Sequence, residues 1–287
     1  MVQEILDLGV DTLEISHGLK VSLLPGIFTA FRAGKFKVSG VHNFCPSPVE
    51  VMIDAPDCYE FTSDRAYDRK RALDLSLRSL EQAAELEAGY LVLHMGSIPM
   101  RNFSKDLEEM VKAGKIHSRE YVKLKLKAVE ARERLGPKYL ERSREALGRM
   151  LDKAKQVGVK LAVESRSAYE DAPNERELTA LMEDYKDEPC VGYWHDFGHV
   201  QRKANLGYLD HYEWLSSMQP YLIGCHLHDV QWPRRDHRVP LTAGGVDFDR
   251  LMPLVDPAKP VVWELSPRRR TSQIEWALAA WREKVGY

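Results

Sequence analysis

Carboxylates and imidazoles stand at the ends of short apolar runs along the whole of this chain. The runs are Val41-His42-Asn43, Leu93-His94-Met95-Gly96, Val163-Glu164-Ser165, Trp194-His195-Asp196-Phe197-Gly198-His199, Cys225-His226-Leu227-His228-Asp229 and Trp263-Glu264-Leu265. Two or three carboxylates with one imidazole suit a hard-to-borderline divalent cation: Mn2+, Mg2+, Co2+ or Zn2+. Glu164, Asp196, His226 and Glu264 end four successive runs and form the expected ligand set. His199, three residues after Asp196 and past a glycine that permits a sharp turn, is a further ligand or a donor to a substrate oxygen. His226 and His228 are two apart in a strand and face the same way. His226 is the expected ligand, with His228 deeper or behind it. His42 and His94 are either extra metal ligands or hydrogen-bonded rim histidines. His17, His117, His195 and His211 have no such context and read as surface or structural.

These residues need a fold that gathers strand ends. Between the runs lie stretches with helical spacing, and alternating strands and helices mean a parallel sheet. Strands are expected at Thr12–Ser16, Phe36–His42, Tyr90–His94, Val159–Glu164, Val191–Asp196, Leu222–His228 and Val261–Leu265. Helices are expected at Val2–Leu8, Arg65–Glu87, Glu175–Tyr185, Leu209–Met218, Phe248–Val255 and Ser272–Lys284. Residues 101–157 exceed one crossover and read as an extra pair of charged amphipathic helices, broken at Gly136-Pro137. A doubly wound sheet fits the alternation but would not bring six strand ends to one pocket. A (β/α)8 TIM barrel does, because its sites form at the C-terminal face. The chain opens on a helix, so the barrel either lacks its first strand or is atypical there.

With 287 residues, 44% hydrophobic and 29% charged, the chain fits one barrel domain over 1–287. A formal net charge of −2 argues against nucleic acid as a partner. Cys45, Cys58, Cys190 and Cys225 are scattered, which disfavours a disulfide framework and a thiolate zinc site. No apolar run approaches ~20 residues and the start has no signal-peptide pattern, so a cytoplasmic protein without a membrane partner is expected. A barrel short of one strand would expose sheet edges, and covering them is one reason to expect a homo-oligomer. Loop residues Pro233–Leu241 and the run Arg268-Arg269-Arg270 follow the last two strands, where barrels often bind phosphate and arginine suits it. A basic run is also simply a solvated face.

In their order and spacing, several of these pieces resemble the xylose-isomerase-like TIM barrels. They are Leu93-His94-Met95-Gly96, Leu161-Ala162-Val163-Glu164, Asp196-Phe197-Gly198-His199, His226-Leu227-His228-Asp229, His237 with Gly244-Gly245-Val246-Asp247-Phe248, and Val262-Trp263-Glu264. That superfamily includes sugar-phosphate isomerases and epimerases and the endonuclease IV group of DNA-repair nucleases. Its isomerase branch implies one divalent metal on Glu164, Asp196, His226 and Glu264, with His199 on the substrate. Its nuclease branch implies a three-zinc cluster that also uses His42, His94, His199 and an Asp-x-His pair. Here Asp236-His237-Arg238 puts arginine in place of the second histidine of that pair. A barrel that binds metal or sugar without turnover is a third reading.

The isomerase or epimerase reading implies proton transfer beside a carbonyl, through a metal-stabilised enediolate, on a small sugar or sugar phosphate. Glu164 and Glu264 would be base and acid on opposite sides. Because a metal-bound carboxylate is a weak base, partial burial should raise its pKa. His199, His94, Arg235, Asp236, His237 and Arg238 are the expected substrate contacts.

Overall fold

A computed structural model describes residues 2–51, 56–233, 235–267 and 269–285. Helix α1 (Val2–Asp7) leads into β1 (Thr12–Ile15), α2 (Leu24–Arg32), β2 (Lys37–His42), α3 (Ala66–Glu85) and β3 (Tyr90–Leu93). A short strand β4 (Gly96–Ser97) precedes α4 (Phe103–Lys112) and the long α5 (Arg119–Val157). Then come β5 (Lys160–Glu164), β6 (Asp171–Ala172), α6 (Glu175–Asp184), β7 (Val191–Asp196), α7 (Phe197–Asn205), α8 (His211–Met218) and β8 (Leu222–Leu227). The chain finishes with β9 (Asp229–Gln231), β10 (Arg235–Arg238), α9 (Phe248–Leu251), β11 (Val261–Trp263) and α10 (Thr271–Val285).

Seven strands form one parallel sheet in the order β1-β2-β3-β5-β7-β8-β11, flanked by the helices. It curls into a nearly closed barrel: Glu14 of β1, at one edge, reaches His226 of β8, next to the other edge, at 2.9 Å. Among the described residues the sheet has seven strands rather than eight, and β1 follows the opening helix. Side chains alternate across a strand with period two. Tyr90, Val92, Ala162 and Trp194 pack together as one buried cluster inside the barrel, with Ile223 and Val262 against it. Leu91, Leu93, Leu161, Val163, Tyr193, Cys225 and Leu227 belong to the larger core towards the helices. His94, Glu164, Asp196 and Glu264 lie two residues after interior positions of their own strands, and His226, the partner of Asp196, lies two residues after Gly224, the partner of interior Trp194. The parity that fills the barrel therefore also aims these groups inward at its C-terminal mouth.

Three expectations are corrected. Helix α5 runs unbroken for 39 residues through Pro137, and the break between the two extra helices falls at 113–118. A proline inside a helix costs about 3 kcal/mol, and tertiary contacts on both sides offset it here. Buried Arg132 donates to Glu177 (3.0 Å) and to the Asp171 carbonyl (2.7 Å), and Arg142 donates to the Thr62 carbonyl (2.7 Å). A Cβ on Gly136 would stand 2.5 Å from Glu177, so this glycine serves close packing rather than a break. Second, Asp196 caps a helix that starts at once, accepting from the His199 amide at 2.7 Å, so Gly198 is helical and not a turn. Third, the loop expected at 233–241 contains β10, which pairs antiparallel with β9.

Asp229 holds that region together. Its two oxygens accept five backbone amides, from Val230, Ala243, Gly244, Gly245 and Val246, at 2.8–3.2 Å. The motif Gly244-Gly245-Val246 is thus a loop wrapped on a buried carboxylate. No described helix is long and apolar enough to cross a membrane.

Outside the barrel, one hydrogen-bonded chain ties β7 to α7 and α8. Trp214 Nε1–H donates to the Tyr193 hydroxyl (2.8 Å), which meets His195 Nδ1 (2.7 Å). His195 Nε2 meets His211 Nε2 (3.0 Å), and His211 Nδ1 donates to Gln201 (2.8 Å). Each imidazole gives one proton and takes one, so both are neutral. Burial pushes His195 well below its ordinary pKa and His211 down to about 3. The unfolded chain takes up a proton near pH 6.5 that the fold refuses, so this stability is present above that pH and lost towards 3. His211→Gln should therefore remove about 2 kcal/mol of the stability lost between pH 7 and pH 5. Urea unfolding of both proteins at the two pH values reads it; parallel losses would show that His211 titrates normally.

Candidate metal centre and active site

The centre is built around Glu164, at the end of β5 and 1% exposed. Four imidazoles face its carboxylate. Oε1 meets His199 Nδ1 at 3.1 Å and His226 Nδ1 at 3.8 Å; Oε2 meets His94 Nε2 at 2.9 Å and His42 Nε2 at 3.3 Å. His226 is set by Glu14: its Nε2–H donates to Glu14 at 2.9 Å, which leaves the lone pair on Nδ1. That Nδ1 is buried without a hydrogen-bond partner. Around it stand Glu164 and Asp196, each at 3.8 Å, and Glu264 at 3.4 Å. The structure thus brings the four expected ligands together about one nitrogen.

Donor atoms sharing one ion at about 2.0–2.2 Å lie roughly 3–4 Å from each other, further than a hydrogen bond. The spacings around His226 Nδ1 are of that kind. Glu164, Asp196 and His226 offer ligand atoms within 4.8 Å of one another. A buried orphan nitrogen facing three carboxylates fits a divalent cation of the O/N-binding type.

The remaining expected residues divide. His94 spans Glu164 and Asp57, at 2.9 Å from each, and Asp57 is clasped by both terminal nitrogens of Arg166 at 2.9 Å. His237 Nε2 lies 3.2 Å from Glu264, and its Nδ1 lies 3.1 Å from Asp236. Asp236 does not face the centre freely: Arg202 on α7 donates to it at 2.6 Å and to Glu108 of α4 at 2.6 Å. The extra helices therefore reach the segment of Asp236 and His237 through Arg202. Arg235 and Arg238 form no ion pair with the ligand set among the described residues, and Arg234 and Arg268 lie outside those residues. Trp194 is fully buried beneath the centre, 5.0 Å from the His226 ring, and packs rather than stacks on a ligand.

His228 has both nitrogens committed. Nδ1 accepts the His237 amide at 2.9 Å, so Nε2 carries the proton and donates to Asp196 at 2.9 Å. It orients Asp196, one of the expected ligands. Its ring fills the space beside Gly198, where a Cβ would stand 1.9 Å from its Cε1. The two motifs Asp196-Phe197-Gly198-His199 and His226-Leu227-His228-Asp229 are thus one interlocked unit.

Charge follows geometry. Burial opposes ionisation of Glu164, yet His199, His226 and His42 hold it well below the usual carboxylate range; His226 and His237 do the same for Glu264. Burial likewise opposes charge on His226, but Glu14 and Glu264 raise its pKa well above the ordinary value. His237 is pushed up to about 10 against its burial, by Asp236 and Glu264. The raised carboxylate pKa expected from the sequence is thus not what the site produces, because both glutamates face imidazoles. Protons on those rings mark the field a cation would replace.

Sequence reading missed Glu14, His17, Asp57, Arg166 and Arg202. Glu14 is the one charged residue of β1, which was a usable signal. His17 follows the end of β1, as His94 follows the end of β3, and is not a surface residue: its ring lies edge-on to His42 with centroids 4.6 Å apart. Asp57 and Arg202 carry no local signal, since their partners come from other elements.

Residues 2–284 match the model of the family described as xylose isomerase-like TIM barrel, and the chain belongs to that family. No curated protein matches it. Among solved structures, it is similar to 3-keto-D-glucoside 4-epimerase from E. coli (16% identity, TM-score 0.68, 98% of this chain and 92% of that one). It is also similar to D-psicose 3-epimerase from Clostridium cellulolyticum H10 (15% identity, TM-score 0.65, 98% and 91%). A Thermus thermophilus protein soaked with zinc chloride is similar at 22% identity (TM-score 0.62, 99% and 92%). At these identities the likeness shows the fold alone.

Gly198→Ala should displace His228, release Asp196 and weaken divalent-metal binding about 10–100-fold with the circular dichroism spectrum unchanged. Wild-type affinity in a calorimetric titration with Mn2+ would mean that His228 does not position Asp196.

Proposed function

We propose that this member of the xylose isomerase-like barrels is a divalent-metal-dependent sugar isomerase or epimerase acting beside a carbonyl group. The observation that carries the reading is the orphan Nδ1 of His226 with Glu164, Asp196 and Glu264 around it. The epimerase names of two solved proteins of the same fold are consistent with it. A divalent cation held by Glu164, Asp196, His226 and Glu264 would supply Lewis acidity, which polarises a carbonyl and acidifies the adjacent C–H.

Glu264 is the ligand open to substrate, with a quarter of its side chain exposed, and we assign it proton transfer at the reacting carbon. Glu164 takes the opposite side. Both are weakly basic in this field, so matching of pKa values has to come from acidification of the substrate proton. His199 and His94 line the same mouth and position substrate oxygens. His237 holds Glu264 in place, anchored through Asp236 and Arg202. Arg235 and Arg238, which have no ion pair among the described residues, stand at the rim for an anionic or hydroxyl-rich end of the substrate.

One observation favours a second reading, phosphoester hydrolysis on abasic DNA. His42, His94 and His199 converge on Glu164, and His237 on Glu264, more imidazoles than one cation needs. Arginine at 238 and the net charge of −2 count against it.

Metal-loaded protein incubated in deuterated water with ketohexoses and pentuloses, free and phosphorylated, should epimerise one of them with deuterium entering beside the carbonyl. Glu264→Gln should lose at least about 100-fold of that exchange while still binding metal. Cleavage of an abasic oligonucleotide without any sugar exchange would replace this reading by the second.

A further inference from the structure

We infer that Arg166 and His94 form the receptor for a carboxylate of the substrate, and that the side chain of Asp57 stands in its place. The inference rests on the reading that the neighbouring centre acts on a sugar carbonyl, and it narrows the substrate to a sugar acid. Arg166 follows Glu164 by two residues, just past the end of β5, and its side chain is 13% exposed. Its two terminal nitrogens donate to the two oxygens of Asp57, each at 2.9 Å. That is the forked pairing a guanidinium makes with a planar two-oxygen anion. His94 Nδ1 adds a third contact, 2.9 Å from the Oδ1 that Arg166 also holds.

Asp57 is the looser partner. It comes from the segment between β2 and α3, and 38% of its side chain is exposed, so its carboxylate can return to water at small cost. Arg166 cannot do likewise: its Nε is buried without a hydrogen-bond partner, and Asp171 lies 4.0 Å away. A guanidinium this close to a centre suited to a cation is opposed by like-charge repulsion. An anion to be received at that point accounts for its place. His94 sets the distance, since its other nitrogen is 2.9 Å from Glu164 Oε2 and one imidazole separates the receptor from the expected ligands. A substrate engaging both therefore carries its carboxylate at the end remote from the reacting carbonyl, as a hexuronate does. Arg235 and Arg238, on β10, are left to its hydroxyl groups.

Calorimetric titration of metal-loaded protein with D-glucuronate, D-glucose and D-glucose 6-phosphate tests this without turnover. Wild type should bind glucuronate at least about 10-fold more tightly than glucose. Arg166→Gln should abolish that preference. Asp57→Ala should instead tighten glucuronate binding about 10-fold, because the receptor is no longer filled from within. That gain is a readout a merely structural Asp57 would not give. If Arg166→Gln does not fold by circular dichroism, Arg166→Lys takes its place and should lose the preference together with the fork. Equal binding of glucuronate and glucose in wild type, weaker or unchanged glucuronate binding in Asp57→Ala, or tighter binding of glucose 6-phosphate than of glucuronate would each overturn the inference. If no sugar undergoes exchange while these bindings hold, the function proposed above fails and the receptor stands. If a neutral ketose is exchanged and glucuronate is not preferred, the receptor fails alone.

Discussion

The structure turns on a carboxylate buried where it cannot stay alone. Taking an ionised side chain such as Glu164 out of water costs several kcal/mol unless the surroundings return it. Here the return comes from four imidazoles, each on a different element: His42 at the end of β2, His94 after β3, His199 on α7 and His226 on β8. Each imidazole must in turn be held. Glu14 holds His226, the Asn43 carbonyl holds His42, and Asp57 with Arg166 holds His94. The barrel mouth is a chain of such dependencies, and its cluster of carboxylates is what would suit it to a cation.

The peripheral features of the chain make sense as supports for that centre. Asp229 gathers five amides, its neighbour's and four from the Ala243–Val246 loop, fixing the end of β8 just beyond His226 and His228. The ribbon β9–β10 brings His237 onto Glu264 and the His237 amide onto His228. Arg202 connects that ribbon to α4, so the extra helical segment is mechanically joined to the ligands. A ligand held through two or three partners is pre-organised, and less of a cation's or substrate's binding energy is spent on ordering it.

The site offers weak bases and strong fields, and that combination bears on chemistry. A carboxylate kept ionised by imidazoles is a poor proton acceptor until the substrate proton is itself made acidic. In the proposed reaction, proton transfer and charge stabilisation would act on the same few atoms, those around His226 Nδ1.

Much of this was legible before any coordinates. Period-two apolar runs ending in Glu164, Asp196, His226 and Glu264 determine parallel strands with ligands at one end, because parity and strand polarity are local properties. Helix α7, the unbroken passage through Pro137 and the ribbon at Arg235–Arg238 were not legible, since tertiary contacts outweigh local propensity there. Which nitrogen of each imidazole faces the centre was likewise decided only by the fold. His226 presents Nδ1 because Glu14, 212 residues away in sequence, occupies Nε2. His228 is an orienting donor because the His237 amide takes its other nitrogen, and His17 enters the centre because the curled sheet brings β1 round to β11. A sequence states which groups are available at which strand ends; only the closed arrangement sets their partners, and partners set tautomer, charge and role.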